Sequence, residues 1–166
     1  MPDAAAEFWR FSLALYGSPG VAPACIALQD GHGKDVNVAL YCCWLGASGR
    51  GRLSRAALDA ADRAVAPWRE TVVERLREAR RAVKGAAMPG SESLYSKAKA
   101  VELEAERVLQ ARLAALAPAA SEARPRADRL GDALANLALY TGDAPAEPLQ
   151  AALRRMAEDE FMSGGA

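Results

Sequence analysis

The densest run of chemistry-bearing side chains is Gln29-Asp-Gly-His-Gly-Lys-Asp-Val-Asn37. Its histidine, His32, is the only one in the chain and stands between two glycines, with Asp30 and Asp35 close by. A carboxylate beside an imidazole can orient it as a general base, and the same group with Cys25 or Cys42 could ligate a metal. A structural use of these residues competes. Gly31 and Gly33 suit positive-φ turn positions, and Asp35 suits a helix N-cap, where the helix N-terminus favours its charge. Asn37, one turn further on, suits a buried amide that satisfies neighbouring backbone, and His32 would then sit exposed at the turn. The spacing gives a metal little support, because there is no second His, no Glu-x-x-His pair and no Cys-x-x-Cys. No metal or other cofactor is assigned, and no residue is assigned a catalytic role.

Other candidates are weaker. Arg69, Arg77, Arg80, Arg81 and Lys84 form a basic helix face that could meet phosphates. Glu70, Glu74 and Glu78 are interleaved with these arginines, Glu74 and Glu78 at three-residue spacing, which is the pattern of a solvated face laced with ion pairs. Nucleic-acid binding is therefore a minor alternative. The glycine-rich stretches 17–20 and 46–51 lack the Gly-Lys-Ser/Thr ending of a phosphate loop, and the serines lack a nucleophile-elbow context. Trp9, Trp44 and Trp68 fall on three different predicted helices and are expected to share one core. Trp44 also stands as the aromatic member of the candidate cluster Asp30, His32, Asp35, Asn37 and Trp44.

These residues must be positioned by helices. The helix-forming composition and the Pro/Gly punctuation predict helix throughout. One helix should run from an Asp3 cap to Tyr16, and a second from Val21 to Gln29. A third, from Asp35 to Leu45, is apolar on every face and so should be buried on every face. Ser54 is the expected cap of a fourth, with Pro67 kinking or interrupting its continuation towards Lys84. A long helix over 93–116 carries Leu94, Val101, Val108 and Ala115 seven residues apart. That stripe, with Glu102, Glu104, Glu106 and Arg112 outside it, predicts the inner face of an antiparallel hairpin. Two shorter helices, over 128–140 and 147–161, close the chain, and the Ser-Gly-Gly-Ala ending is expected to fray. The match between Asn37-Val-Ala-Leu-Tyr41 and Asn136-Leu-Ala-Leu-Tyr140 is too short to predict a repeat.

The chain has 166 residues and equal counts of basic and acidic side chains, 21 each. That balance argues against a protein that coats nucleic acid or an anionic membrane. Alanine supplies 39 residues, so close helix approach must build much of the core. No apolar run is long enough to span a bilayer, no basic leader opens the chain, and three cysteines are not a disulfide framework. A cytoplasmic protein is expected.

The string Phe8-Trp-x-Phe-x-Leu-x-Leu-Tyr-x-x-Pro-Gly-Val, then Cys25-x-x-Leu-Gln-Asp, Gly33-x-Asp-Val-Asn37 and Trp44-Leu, resembles a family of small proteobacterial hypothetical proteins. The resemblance continues through Pro67-Trp-Arg to the Lys99-x-x-Glu-Leu-Glu-Ala-Glu106 run and spans about residues 8–116. It implies a bacterial, helical protein carrying a domain of unknown function, with no activity to transfer.

The expected architecture is an all-α, single-domain bundle of six to eight helices with a buried central helix near 35–45. The core should span 8–116, with a C-terminal helical extension over 128–161. The expected function is that of a small, non-catalytic interaction, adaptor or regulatory protein, with a protein partner or a second copy as its target. A small-molecule or catalytic pocket at the N-terminal end of the central helix, built on His32, Asp35 and Asn37, is the alternative.

Overall fold

The computed structural model describes residues 3–163, and side chains through residue 159; the Ser-Gly-Gly-Ala ending falls largely outside that range. Among the described residues there are eight α-helical segments: α1 (Ala4–Tyr16), α2 (Val21–His32), α3 (Val36–Ala47), α4 (Arg55–Trp68), α5 (Glu74–Ala86), α6 (Glu92–Ala115), α7 (Arg126–Thr141) and α8 (Glu147–Ser163). The fold is a single all-α domain.

Local chemistry sets the boundaries. Asp3, Asp35 and Ser54 each cap a helix, accepting from the backbone N–H of Ala5, Asn37 and Ala57 respectively. The turn at 17–20 bends α1 against α2 by 100°. Gly31 does not break the chain as its composition suggests: α2 runs through it to His32, and Gly33, at φ 61°, ends the helix. Pro67 lies inside α4, and a π-helical turn over Arg69–Val73 joins α4 to α5 without a gap. A widened turn of this kind absorbs the backbone bond that a proline removes.

Helix α3 is the axis of the molecule, with every residue from Asn37 to Gly46 buried. Phe8 stacks on Trp44 with ring centroids 4.9 Å apart, and Tyr41 meets Phe8 edge-on at 5.9 Å. The other two tryptophans stand apart from this cluster. Trp9 lies under the Arg107 guanidinium, and Trp68 is 38% exposed, so the expected three-tryptophan core is not formed. Helix α7 runs antiparallel to α3 at close range and is tied to it by Asn136. The Asn136 amide donates to the carbonyls of Cys42 and Gly51 and accepts from the Leu53 N–H.

Helices α5 and α6 form the antiparallel hairpin, but α6 is rotated relative to the expected arrangement. Its buried side chains are Glu102, Ala105, Leu109, Gln110, Leu113 and Ala114. Leu94, Val101 and Val108, expected inside, are 56%, 52% and 47% exposed. Glu102, expected outside, is buried because Arg77 and Arg80 both ion-pair with it from α5. Gln110 is buried because its amide donates to Asn37 Oδ1 at 2.9 Å. Partnered polar groups can occupy a buried face and leave apolar ones outside. Among the described residues, no single helix is long and apolar enough to cross a membrane.

Candidate functional site

The N-terminal end of α3 opens into a polar cleft of about 290 Å³. Of the residues expected there, Asp35 and Asn37 line it, joined by Arg69 and Arg77 from the basic face and by Lys34, Asp62 and Tyr140. Asp35 uses both carboxylate oxygens. Oδ1 accepts from the Asn37 N–H at 2.7 Å, and Oδ2 accepts from Arg69 Nη1 at 3.1 Å. The same guanidinium nitrogen donates to Asp62 Oδ1 at 2.7 Å. The backbone N–H of Asp35 donates to the Tyr140 hydroxyl at 2.7 Å, and Lys34 Nζ lies 5.2 Å from the centre of the Tyr140 ring. Burial opposes the charge on Arg69, but its hydrogen bonds to Asp62 and Asp35 outweigh burial and raise its pKa. Burial, followed by the Asp35 charge, raises the pKa of the Tyr140 phenol.

The other expected members lie elsewhere. His32 is exposed at the end of α2 and does not line the cleft. Asp30, also exposed, is held by Arg81 at 3.2 Å, a pairing that depresses its pKa. Trp44 sits nine residues along α3 from Asp35, about 13 Å at the helical rise, and faces a different set of side chains. Its indole N–H donates to Glu7 Oε1 at 3.1 Å, and the Arg50 guanidinium stacks 4.2 Å from its ring. The cluster therefore separates into three places. Two residues near a glycine turn look adjacent in sequence, yet the left-handed turn at Gly33 sends His32 and Asp35 onto different helices. Asp62, Gln110 and Tyr140 were missed. Asp62 and Gln110 carry no local signal, and the only hint for Tyr140 was its place in the Asn136–Tyr140 echo.

The basic face is largely engaged by carboxylates. Arg77 bonds Glu102 at 3.1 Å and Glu106 at 2.9 Å, Arg80 bonds Glu102, Arg81 bonds Asp30, and Arg69 is clamped as described. Lys84 is exposed on the hairpin. The three thiols are buried. Burial pushes Cys25 and Cys42 up to about 12 and raises Cys43 well above the ordinary thiol value, so all three are neutral thiols.

The outer face of α6 is different in kind. Leu94, Val101 and Val108 form an exposed ridge, with the half-buried Ala98 on its shoulder. Trp68 donates its indole N–H to the Ala105 carbonyl at 2.9 Å, which sets a half-exposed aromatic ring beside that ridge.

An all-helical domain with a polar cleft built on the paired Asp35 and Arg69 and an uncovered apolar ridge defines a structural class without naming a reaction. Residues 7–113 match the family model described as "Protein of unknown function (DUF2390)", and the chain belongs to that family. No curated protein and no solved structure matches the chain.

Proposed function

We propose that this is a non-catalytic interaction protein that pairs with a second copy of itself through the α6 ridge. The observation that carries this reading is the exposure of Leu94, Val101 and Val108 at seven-residue spacing on a 24-residue helix. Such a seam is the surface that two helices share in a left-handed pairing. Charge complementarity supports an antiparallel orientation. In an antiparallel pairing centred on Val101, Leu94 faces Val108 of the partner subunit and Lys97 comes beside Glu104 of the partner subunit. Lys97 and Glu104 are both exposed. The candidate residues of the cleft support the same reading, because Asp35 and Asn37 already have partners within the chain.

Buried, neutral thiols and the family resemblance favour a bacterial cytoplasm as the setting. Sedimentation equilibrium tests the pairing. The wild type should be a dimer at micromolar concentration, and V101E should be a folded monomer. K97E should weaken association, and K97E/E104K should restore it. A wild type that stays monomeric at about 100 μM, well above a micromolar Kd, would contradict the proposal.

A further inference from the structure

A groove of about 1100 Å³ lies on another part of the surface, between α1, the end of α3, α7 and α8. Its size is just above the range of about 300–1000 Å³ typical of small-molecule sites. Phe11, Leu130, Leu153 and Met156 give it an apolar floor. Arginines dominate its mouth: Arg10, Arg126, Arg129 and Arg154, against Glu7 and Glu158.

The charges are not equally available. Glu7 is engaged inside the fold, its two oxygens accepting from Arg50 at 3.1 and 3.2 Å. Arg129 is held in place by loop carbonyls, with Nε donating to Arg124 O at 3.0 Å and Nη2 reaching Ser121 and Glu122 carbonyls at 3.4 Å. Among the described residues, no carboxylate lies within ion-pair distance of Arg10, Arg129 or Arg154. A trough with hydrocarbon walls and fixed positive charge at its lip complements a molecule with one anionic head and an apolar body. We infer that the groove binds a medium-chain acyl carboxylate. The chain lies over Phe11, Leu153 and Met156, and the head group rests on Arg129 with Arg10 and Arg154 beside it. The site is independent of the α6 ridge.

Isothermal titration of the full chain with decanoate, decanol and decyltrimethylammonium tests this. Decanoate should bind at least about tenfold tighter than the other two, a difference of about 1.4 kcal/mol. It should also perturb tryptophan fluorescence, since Trp44 forms part of the groove wall. R10E/R154E changes two exposed positions. It should lower decanoate affinity at least about tenfold, equivalent to 1.4 kcal/mol, with the unfolding midpoint unchanged. Ala14→Trp, which fills the groove from its exposed rim, should abolish binding. Equal binding of the three probes, or undiminished decanoate binding by R10E/R154E, would overturn the assignment.

Discussion

Gly46 of α3 lies against the backbone of Ala133 of α7, so close that a Cβ at position 46 would fall 2.0 Å from the Ala133 nitrogen and 2.4 Å from its Cα. Neither atom is the end of a flexible side chain, so the clash can be relieved only by moving one helix. Ala133 is fully buried, and Asn136 ties the same pair together one turn further along. Gly46→Ala should therefore cost at least about 3 kcal/mol, the upper range for overpacking. Gly131 lies inside the same α7 with open space where a Cβ would go. Gly131→Ala should stabilise by about 0.5–1 kcal/mol through helix propensity alone. Chemical denaturation of the two variants checks both signs at once, and similar destabilisation by both would refute the close-approach account.

The cleft predicts a graded series at Asp35. Replacing it with Asn keeps an oxygen to cap α3 but removes the charge that Arg69 faces. Replacing it with Ala removes both. A cap contributes about 1 kcal/mol and a charge-assisted hydrogen bond about 1.5–3 kcal/mol. Asp35→Ala should therefore lose about 2.5–4 kcal/mol and Asp35→Asn distinctly less, since its side-chain oxygen can still accept from the Asn37 N–H. Thermal unfolding by circular dichroism reads the order. Equal losses would mean that the charge facing Arg69, and not the cap, carries the effect.

How much of this was legible depended on whether the cause was local. The caps at Asp3, Asp35 and Ser54 follow from residue type and position, and the burial of α3 follows from a run with no polar face. The close approach of α3 and α7 is consistent with the chain's alanine content, but only structure identifies Gly46 as the contact. The hairpin was foreseeable and the orientation of α6 was not. A heptad of Leu94, Val101 and Val108 reads as an inner seam unless it is known that Arg77 and Arg80 reach across to Glu102 and that Asn37 reaches Gln110. Those partners are 22 to 73 residues away. The cleft is illegible for the same reason: Asp35 was visible, but its partners Arg69 and Tyr140 are 34 and 105 residues along the chain.

Acid should reveal two carboxylates with opposite signs. Hydrogen bonding to Arg124, assisted by Arg52, holds Asp132 below the ordinary aspartate value of 3.8 against the opposing effect of burial. The native state therefore binds this proton less readily than the unfolded chain. The stabilisation is present above pH 3.8 and is lost as the pH falls below it. Burial raises Glu106 above 4.5, against the Arg77 attraction, so the native state takes up this proton first. Its charge carries a stability cost at neutral pH that is relieved as the pH falls towards 4.5. Urea midpoints measured from pH 7 to pH 2.5 should show Glu106→Gln flattening the upper window and Asp132→Asn flattening the lower one. At pH 7, Asp132→Asn should cost about 1.5–3 kcal/mol, as expected for a buried acceptor of charged donors. If the acid limb is unchanged in Asp132→Asn, the Arg52–Asp132–Arg124 cluster does not set acid stability.

The family match ends at residue 113, within α6, before α7 begins. The structure nevertheless makes α7 indispensable to the matched part. Ala133, Asn136 and Leu137 are buried, and the Asn136 side chain accepts from the Leu53 N–H and donates to the carbonyls of Cys42 and Gly51. Removing residues 117–166 would expose one side of a helix that has no polar face to offer water, and would leave those backbone groups without their partner. The truncated chain 1–116 should keep helical far-ultraviolet circular dichroism, lose its near-ultraviolet signal and bind a hydrophobic dye, as a compact state without fixed packing does. Adding a separate 117–166 peptide should restore the near-ultraviolet signal if the α3–α7 contact is what was lost. A cooperative unfolding transition in the truncated chain alone would show that the matched segment is self-sufficient and that α7 is an accessory.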